Sequence, residues 1–315
     1  MFEFLRLTSY NALTRVPLPS PFTGEGKGEG LWRGTMRKPV VAGSFYLGSA
    51  PGLRRQIEDC FQHTLGPGGL PRVPKVRKRH ILGLVSPHAG YIYSGAVAAH
   101  GFFQLASEGK PETIVILGPN HQGMGAAVAL SKEDKWQTPL GYVEIDTETG
   151  EKIVSAAHWA RWDELAHSWE HSVEVQIPFL QYIYETGFRI VPITMLHQDL
   201  EVSRDLGQAI ATALKGKDGV IIASTDFSHY ESQSAASRKD GLALEAILNL
   251  APEHLARVVS SHRISMCGPG PVMTMLTACQ QLGAKEARLL RYATSGDITG
   301  DYSQVVGYAS VEVFK

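Results

Sequence analysis

Ile81-Leu82-Gly83-Leu84-Val85-Ser86-Pro87-His88-Ala89-Gly90-Tyr91 joins an unbroken apolar run to a short polar loop. A run of that length without polar alternation reads as a strand covered on both faces, the kind found inside α/β sheets. In such sheets ligands bind beyond the carboxyl ends of the strands, so His88 stands where chemistry is placed. Two further segments repeat the arrangement. Thr113-Ile114-Val115-Ile116-Leu117 leads into Gly118-Pro119-Asn120-His121, and Gly219-Val220-Ile221-Ile222-Ala223-Ser224 leads into Thr225-Asp226-Phe227-Ser228-His229-Tyr230. If the three strands are neighbours, His88, His121, Asp226 and His229 meet in one crevice.

Outward from these segments the pattern continues. Leu53, Ile57, Phe61 and Leu65 recur every four residues and predict a helix over 51–65, ended by Gly66-Pro67-Gly68-Gly69. Ser94 is the expected cap of the helix after the His88 loop. Further strands are expected at 126–130, 142–145, 188–195, 287–293 and 304–313, with a polar loop holding Trp136 and Pro139 between the first two. Helices are expected at 151–157, 172–184, 199–214, 234–249, 251–260 and 272–282, Pro178 being an awkward residue inside the second. Alternating strands and helices, with no internal repeat and no linker after residue 80, predict a single α/β domain over 36–315 with a largely buried central mixed sheet flanked by helices. Residues 1–35, with Pro17, Pro19, Pro21 and four glycines from Gly24 to Gly30, read as a disordered N-terminal extension, and Met36 as an alternative start.

Composition narrows the class. Among 315 residues, 30 basic and 31 acidic side chains give a net charge of −1, and no Lys/Arg block is long enough to track a phosphate backbone. A nucleic-acid partner is not expected. The densest basic stretch, Lys75-Val76-Arg77-Lys78-Arg79, reads as a solvated strand entrance. Three cysteines without a C-x-x-C pair argue against a disulfide framework and for a reducing, cytoplasmic setting. No apolar run reaches the 18 or so residues of a membrane-spanning helix, and Met1-Phe2-Glu3-Phe4-Leu5 lacks the basic start of a signal peptide.

Histidines at matching strand ends make a ready metal site, because neutral imidazole is the commonest side-chain ligand for transition metals. His88 and His121 are therefore candidate ligands. Cys267, in the Gly/Pro-rich turn before a helix, is the natural third, since a helix N-terminus favours the thiolate. Cys279 and Cys60 read as small hydrophobes within helices. Asp226 and His229 share a face if the chain turns helically after Thr225; Asp226 then orients an imidazole or caps the helix, and His229 moves protons. His167, His171 and Glu174 form another polar group, read as an ordinary exposed helix face. Tyr91 and Tyr93, beside His88, line a pocket or pack.

Ser86-Pro87-His88-Ala89-Gly90-Tyr91, Gly118-Pro119-Asn120-His121, Glu170-His171-Ser172-Val173-Glu174-Val175-Gln176, Ser224-Thr225-Asp226-Phe227-Ser228-His229-Tyr230 and the Cys267 turn together resemble the Memo family. Its microbial members are called AmmeMemoRadiSam system protein B. The resemblance covers roughly residues 37–315 and implies the fold of the class III extradiol ring-cleaving dioxygenases. Those enzymes hold non-haem Fe(II) with two histidines and a glutamate. Carried across by motif, the metal histidines fall on His88 and His121, the acid/base on His229, and the third ligand on Cys267, a thiol in place of the dioxygenase carboxylate. A thiolate favours softer or more redox-active metal states. The resemblance further implies iron or copper as cofactor, redox activity, radical-SAM and AMMECR1-like partner proteins, and a phosphopeptide-binding adaptor role in animal members.

Two functions from different classes follow. The first is a non-haem Fe(II) redox enzyme, with copper as the alternative ion, acting on an unknown small substrate through His88, His121 and Cys267, with Asp226 and His229 managing protons. The second is a peptide- or protein-binding adaptor using a vestigial pocket. A zinc hydrolase is weaker, since no glutamate base stands at helical spacing from the ligands.

Overall fold

The computed structural model describes residues 35–315, so the expected extension at 1–35 lies outside the described residues apart from Thr35. Its strands are β1 (Met36–Arg37), β2 (Ile81–Ser86), β3 (Thr113–Pro119), β4 (Val128–Leu130), β5 (Lys135–Thr138), β6 (Gly141–Ile145), β7 (Ala160–Trp162), β8 (Arg189–Met195), β9 (Gly219–Ser224), β10 (His229–Glu231), β11 (Glu286–Thr294) and β12 (Val305–Phe314). Its helices are α1 (Ala50–Gln62), α2 (Tyr91–Ser107), α3 (Thr147–Ala156), α4 (Ile177–Tyr184), α5 (Leu200–Leu214), α6 (Gln233–Leu248), α7 (Pro252–Ser261), α8 (Pro269–Gln281) and α9 (Gly296–Thr299).

All strands join one mixed sheet in the order β1-β5-β6-β8-β3-β9-β2-β12-β10, with β11 pairing β12 and β4 pairing β7 and β8. The three apolar runs are adjacent, as the reading of one shared crevice requires. They form the parallel array β3-β9-β2, in register at Ile116↔Ile222 and Leu84↔Ile222, and β8 extends it through Ile116↔Pro192. Antiparallel β12 closes the other side of β2, with Val311 opposite Val85.

The unbroken hydrophobicity of these strands follows from burial on both faces. Along β3 and β9 successive side chains point to opposite sides. Leu82, Val85, Val115, Leu117, Ile221 and Ala223 pack with Val202, Leu206 and Ile210 of α5 and Val272, Met275 and Leu276 of α8. Ile81, Leu84, Ile114, Ile116, Val220 and Ile222 pack instead with α1, α2 and α4, where Phe102 stacks on Phe179 at 4.8 Å between ring centroids. Gly83 lets α8 approach β2: a Cβ there would lie 2.5 Å from Met275 Sδ and 2.8 Å from Cys279 Sγ. Gly83→Val is therefore expected to destabilise the protein by about 1–3 kcal/mol in urea denaturation, the usual cost of overpacking a filled core. An unchanged midpoint would contradict this packing. The same contact confirms Cys279 as a core hydrophobe, and Cys60 is likewise buried.

Several expectations need correction. α2 begins at Tyr91 behind Gly90, and the Ser94 hydroxyl donates to Ala89 O instead of capping. Pro178 sits in the first turn of α4, where its missing N–H costs nothing, because the segment before it is a 3₁₀ turn over Glu174–Gln176. The helix expected from 172 therefore starts at Ile177, and His171 and Glu174 are not an exposed helical pair. Trp136 belongs to β5, not a loop. No helix follows Thr225; the chain runs into β10. In the basic stretch Arg77 and Arg79 pair with Asp218, each at 3.0 Å, which suits a strand entrance. Among the described residues no helix is long and apolar enough to cross a membrane.

Candidate metal centre

Each central strand ends in a loop anchored by its neighbours. After β2, the His88 backbone N–H donates to Asp226 Oδ1 at 2.8 Å, and the His88 ring, 2 % exposed, places Nδ1 2.8 Å from Ser224 Oγ at the end of β9. After β3, Asn120 Oδ1 accepts from the N–H groups of Gln122 and Gly123 and turns the chain. That turn presents His121, whose backbone N–H and Nδ1–H both reach the Glu170 carboxylate, at 2.6 and 2.9 Å. Gly118 makes room here, since a Cβ would collide with Ser172 Oγ.

His171 completes the group. One ring nitrogen from each of His88, His121 and His171 lies within 4.8 Å of the others. His121 and His171 are stacked at 4.7 Å, His88 meets both edge-on, and Phe45 packs on His171 at 4.6 Å. Cys267, at the entrance to α8, holds Sγ 3.3 Å from His88 Nε2 and accepts from the Asp226 N–H at 3.1 Å. On the next segment the His229 N–H donates to Ser265 Oγ and its Nδ1–H to Ser265 O, both at 2.8 Å.

The segment before α4 is pinned from behind. Arg37 of β1 donates Nε–H to His167 O at 2.8 Å and Nη2–H to Glu170 O at 2.6 Å, and its Nη1 pairs with Glu174 Oε2 at 2.6 Å. Glu174 also accepts from Tyr46 OH and from the backbone of Val40 and Val41. Glu170 and His171 are thus set between a buried ion pair and the strand-end loops. Neither Arg37 nor Glu170 was singled out from sequence, although Glu170 stands within a quoted motif.

Burial pushes His88 well below the ordinary histidine value and His171 down to about 4, so both rings are neutral at pH 7. Burial would raise the Glu170 carboxyl, but the hydrogen bonds from His121 and Ser172 and the adjacent imidazoles hold it well below the usual carboxylate range. Burial lifts Asp226 to about 6 and, with the Asp226 charge, pushes the Cys267 thiol upward. The helix end alone therefore does not outweigh burial and the Asp226 charge; a bound metal, on which the expected thiolate also rests, would have to displace the proton. Asp226 accepts from the backbone of His88, not from an imidazole as expected.

The donor set fits a transition-metal ion. Two rings have Nδ1 engaged by a hydroxyl and a carboxylate, the pattern that orients metal-binding imidazoles, and their Nε2 atoms remain for the crevice. Of the expected ligands, His88 and His121 come together; the third place in the converging group is taken by His171, while Cys267 stands outside it, against His88. Asp226 and His229 flank them.

The comparisons agree over nearly the whole described chain. The profile of the family described as Memo-like protein matches residues 37–312. A MEMO1 family protein of Ignicoccus hospitalis is 50% identical over 279 residues, covering 88% of this chain and 98% of the relative. One from Methanothermobacter thermautotrophicus is 50% identical over 276 residues, covering 87% and 99%, and one from Nitrosopumilus maritimus 42% over 277 residues, covering 88% and 99%. Likeness of that extent makes this chain a member of the Memo family.

Proposed function

We propose that the protein is a metal-dependent redox enzyme that holds one non-haem iron(II) ion through His88, His121 and His171, with Cys267 alongside, and acts on a small substrate. The observation that carries this reading is the convergence of three imidazole nitrogens within 4.8 Å beside a thiol. Bound there, iron would supply one-electron redox chemistry and open coordination positions. The chain's own residues do the rest. Glu170 and Ser224 orient the rings, and Phe45 fixes the plane of His171. His229, with Nδ1–H given to Ser265 O, keeps Nε2 free to accept a proton. The likeness to ring-cleaving dioxygenases adds a fold-level analogy alone.

Copper is the second reading, and Cys267 Sγ favours it as a soft donor 3.3 Å from His88 Nε2. Full-length protein purified without oxygen and loaded separately with Fe(II), Cu(I) and Zn(II) is expected to retain one ion per chain after desalting. Cys267→Ser is expected to lower copper affinity more than iron affinity if iron rests on the imidazoles. A folded protein that retains none of these ions rejects the site and leaves the crevice to the adaptor reading.

A further inference from the structure

Ser224 is buried at the end of β9, and its hydroxyl has one proton to donate and two lone pairs to fill. Three partners surround it: Ser172 O at 2.7 Å, Gln176 Nε2 at 2.8 Å and His88 Nδ1 at 2.8 Å. A carbonyl oxygen only accepts, so the hydroxyl proton goes to Ser172 O. The Gln176 atom facing Ser224 also lies 3.0 Å from Pro87 O. Only the NH₂ end suits a carbonyl, which fixes the amide orientation and makes Gln176 a donor to Ser224. One lone pair of Ser224 is left, and His88 Nδ1 must bring the proton to it.

We propose that Ser224, held by Ser172 and Gln176, is a positioning residue that locks His88 as its Nδ1–H tautomer and so aims the Nε2 lone pair into the crevice. The alternative tautomer has a partner waiting. Cys267 Sγ lies 3.3 Å from His88 Nε2 and would accept an Nε2–H, which would block the nitrogen that faces the crevice. His121 and His229 take the same Nδ1–H form from acceptors with no proton to give, a carboxylate and a backbone carbonyl. At His88 the acceptor is a hydroxyl that could also donate, so its direction has to be imposed by its other two partners. The tautomer holds with or without an ion; only its consequence for affinity rests on the metal reading.

The test uses the metal-free full chain labelled with ¹⁵N-histidine, the His88 signals being assigned by their loss in His88→Gln. Long-range ¹H–¹⁵N correlation is expected to place the proton on Nδ1. In Ser224→Ala it is expected to move toward Nε2, while Zn(II), a redox-silent probe, binds about 10–100-fold more weakly, the usual loss for an outer partner of a metal ligand. Ser224→Thr keeps the hydroxyl and is expected to restore both readouts. If Ser224→Ala does not fold, Ser224→Cys, nearly isosteric with a weaker acceptor, is expected to shift the tautomer partway. A wild-type His88 protonated on Nε2, or a folded Ser224→Ala with the proton still wholly on Nδ1, overturns the lock. A tautomer that moves as described in a protein that binds no zinc upholds the lock and counts against the metal reading instead.

Discussion

Glu174→Ala is expected to lower the unfolding free energy by about 3–5 kcal/mol, the range for removing one partner of a buried ion pair. Arg37 and Glu174 have side chains only 6 % and 0 % exposed, with 2.6 Å between them. Truncation would leave the guanidinium in the interior without a counter-charge, and Tyr46 OH and the backbone of Val40 without an acceptor. Unpaired buried donors carry their own cost of about 1–3 kcal/mol. Glu174→Gln keeps a carbonyl oxygen for one of these donors and is expected to lose less. Urea denaturation followed by circular dichroism gives both values; a loss below about 1 kcal/mol for the alanine variant would mean that the pair is not what fastens this segment. Because Arg37 also grips the His167 and Glu170 carbonyls, the same variant is expected to loosen the loop that carries His171.

His171→Ala is expected to weaken metal binding by more than the roughly 100-fold that bounds the effect of outer partners, because it removes one of three converging nitrogens. This variant separates the two ligand sets. A centre built from His88, His121 and Cys267 alone would lose only the ring stacked on His121 and would keep most of its affinity. The fold is expected to survive, since His171 is partly exposed and the residues around it are held by Glu170 and Arg37. Titration with Zn(II), with Cys267→Ser measured in parallel, ranks the contributions; near-wild-type binding by His171→Ala would exclude that ring from the centre.

The contrast between His88 and His171 shows what a sequence can reveal here. His88, His121 and His229 follow apolar runs whose burial on both faces is written in their composition, and adjacency of the strands brings the loops together. His171 follows no strand. Its place depends on Pro178 starting α4 at Ile177 and on a 3₁₀ turn ahead of it, and the i, i+3 spacing to Glu174 imitates an amphipathic surface. Arg37 acts 137 residues from Glu174, and nothing local in Arg37-Lys38-Pro39 signals a buried cation. The short strands β1, β7 and β10 escaped for a related reason: two or three residues carry no period, and their pairing is decided by the sheet they join.

The sequence distance across the crevice bears on when the centre can exist. His88 and Cys267 touch although 179 residues separate them, and their contact presupposes that β2 and β9 are paired and that α8 has docked. Small metallo-domains form around their ion, so that chelation unfolds them. Here the three converging rings stand on separate loops far apart in the chain, so the scaffold would have to mature before they could hold an ion together. An ion bound there would be a guest of a finished protein, exchangeable without dismantling it.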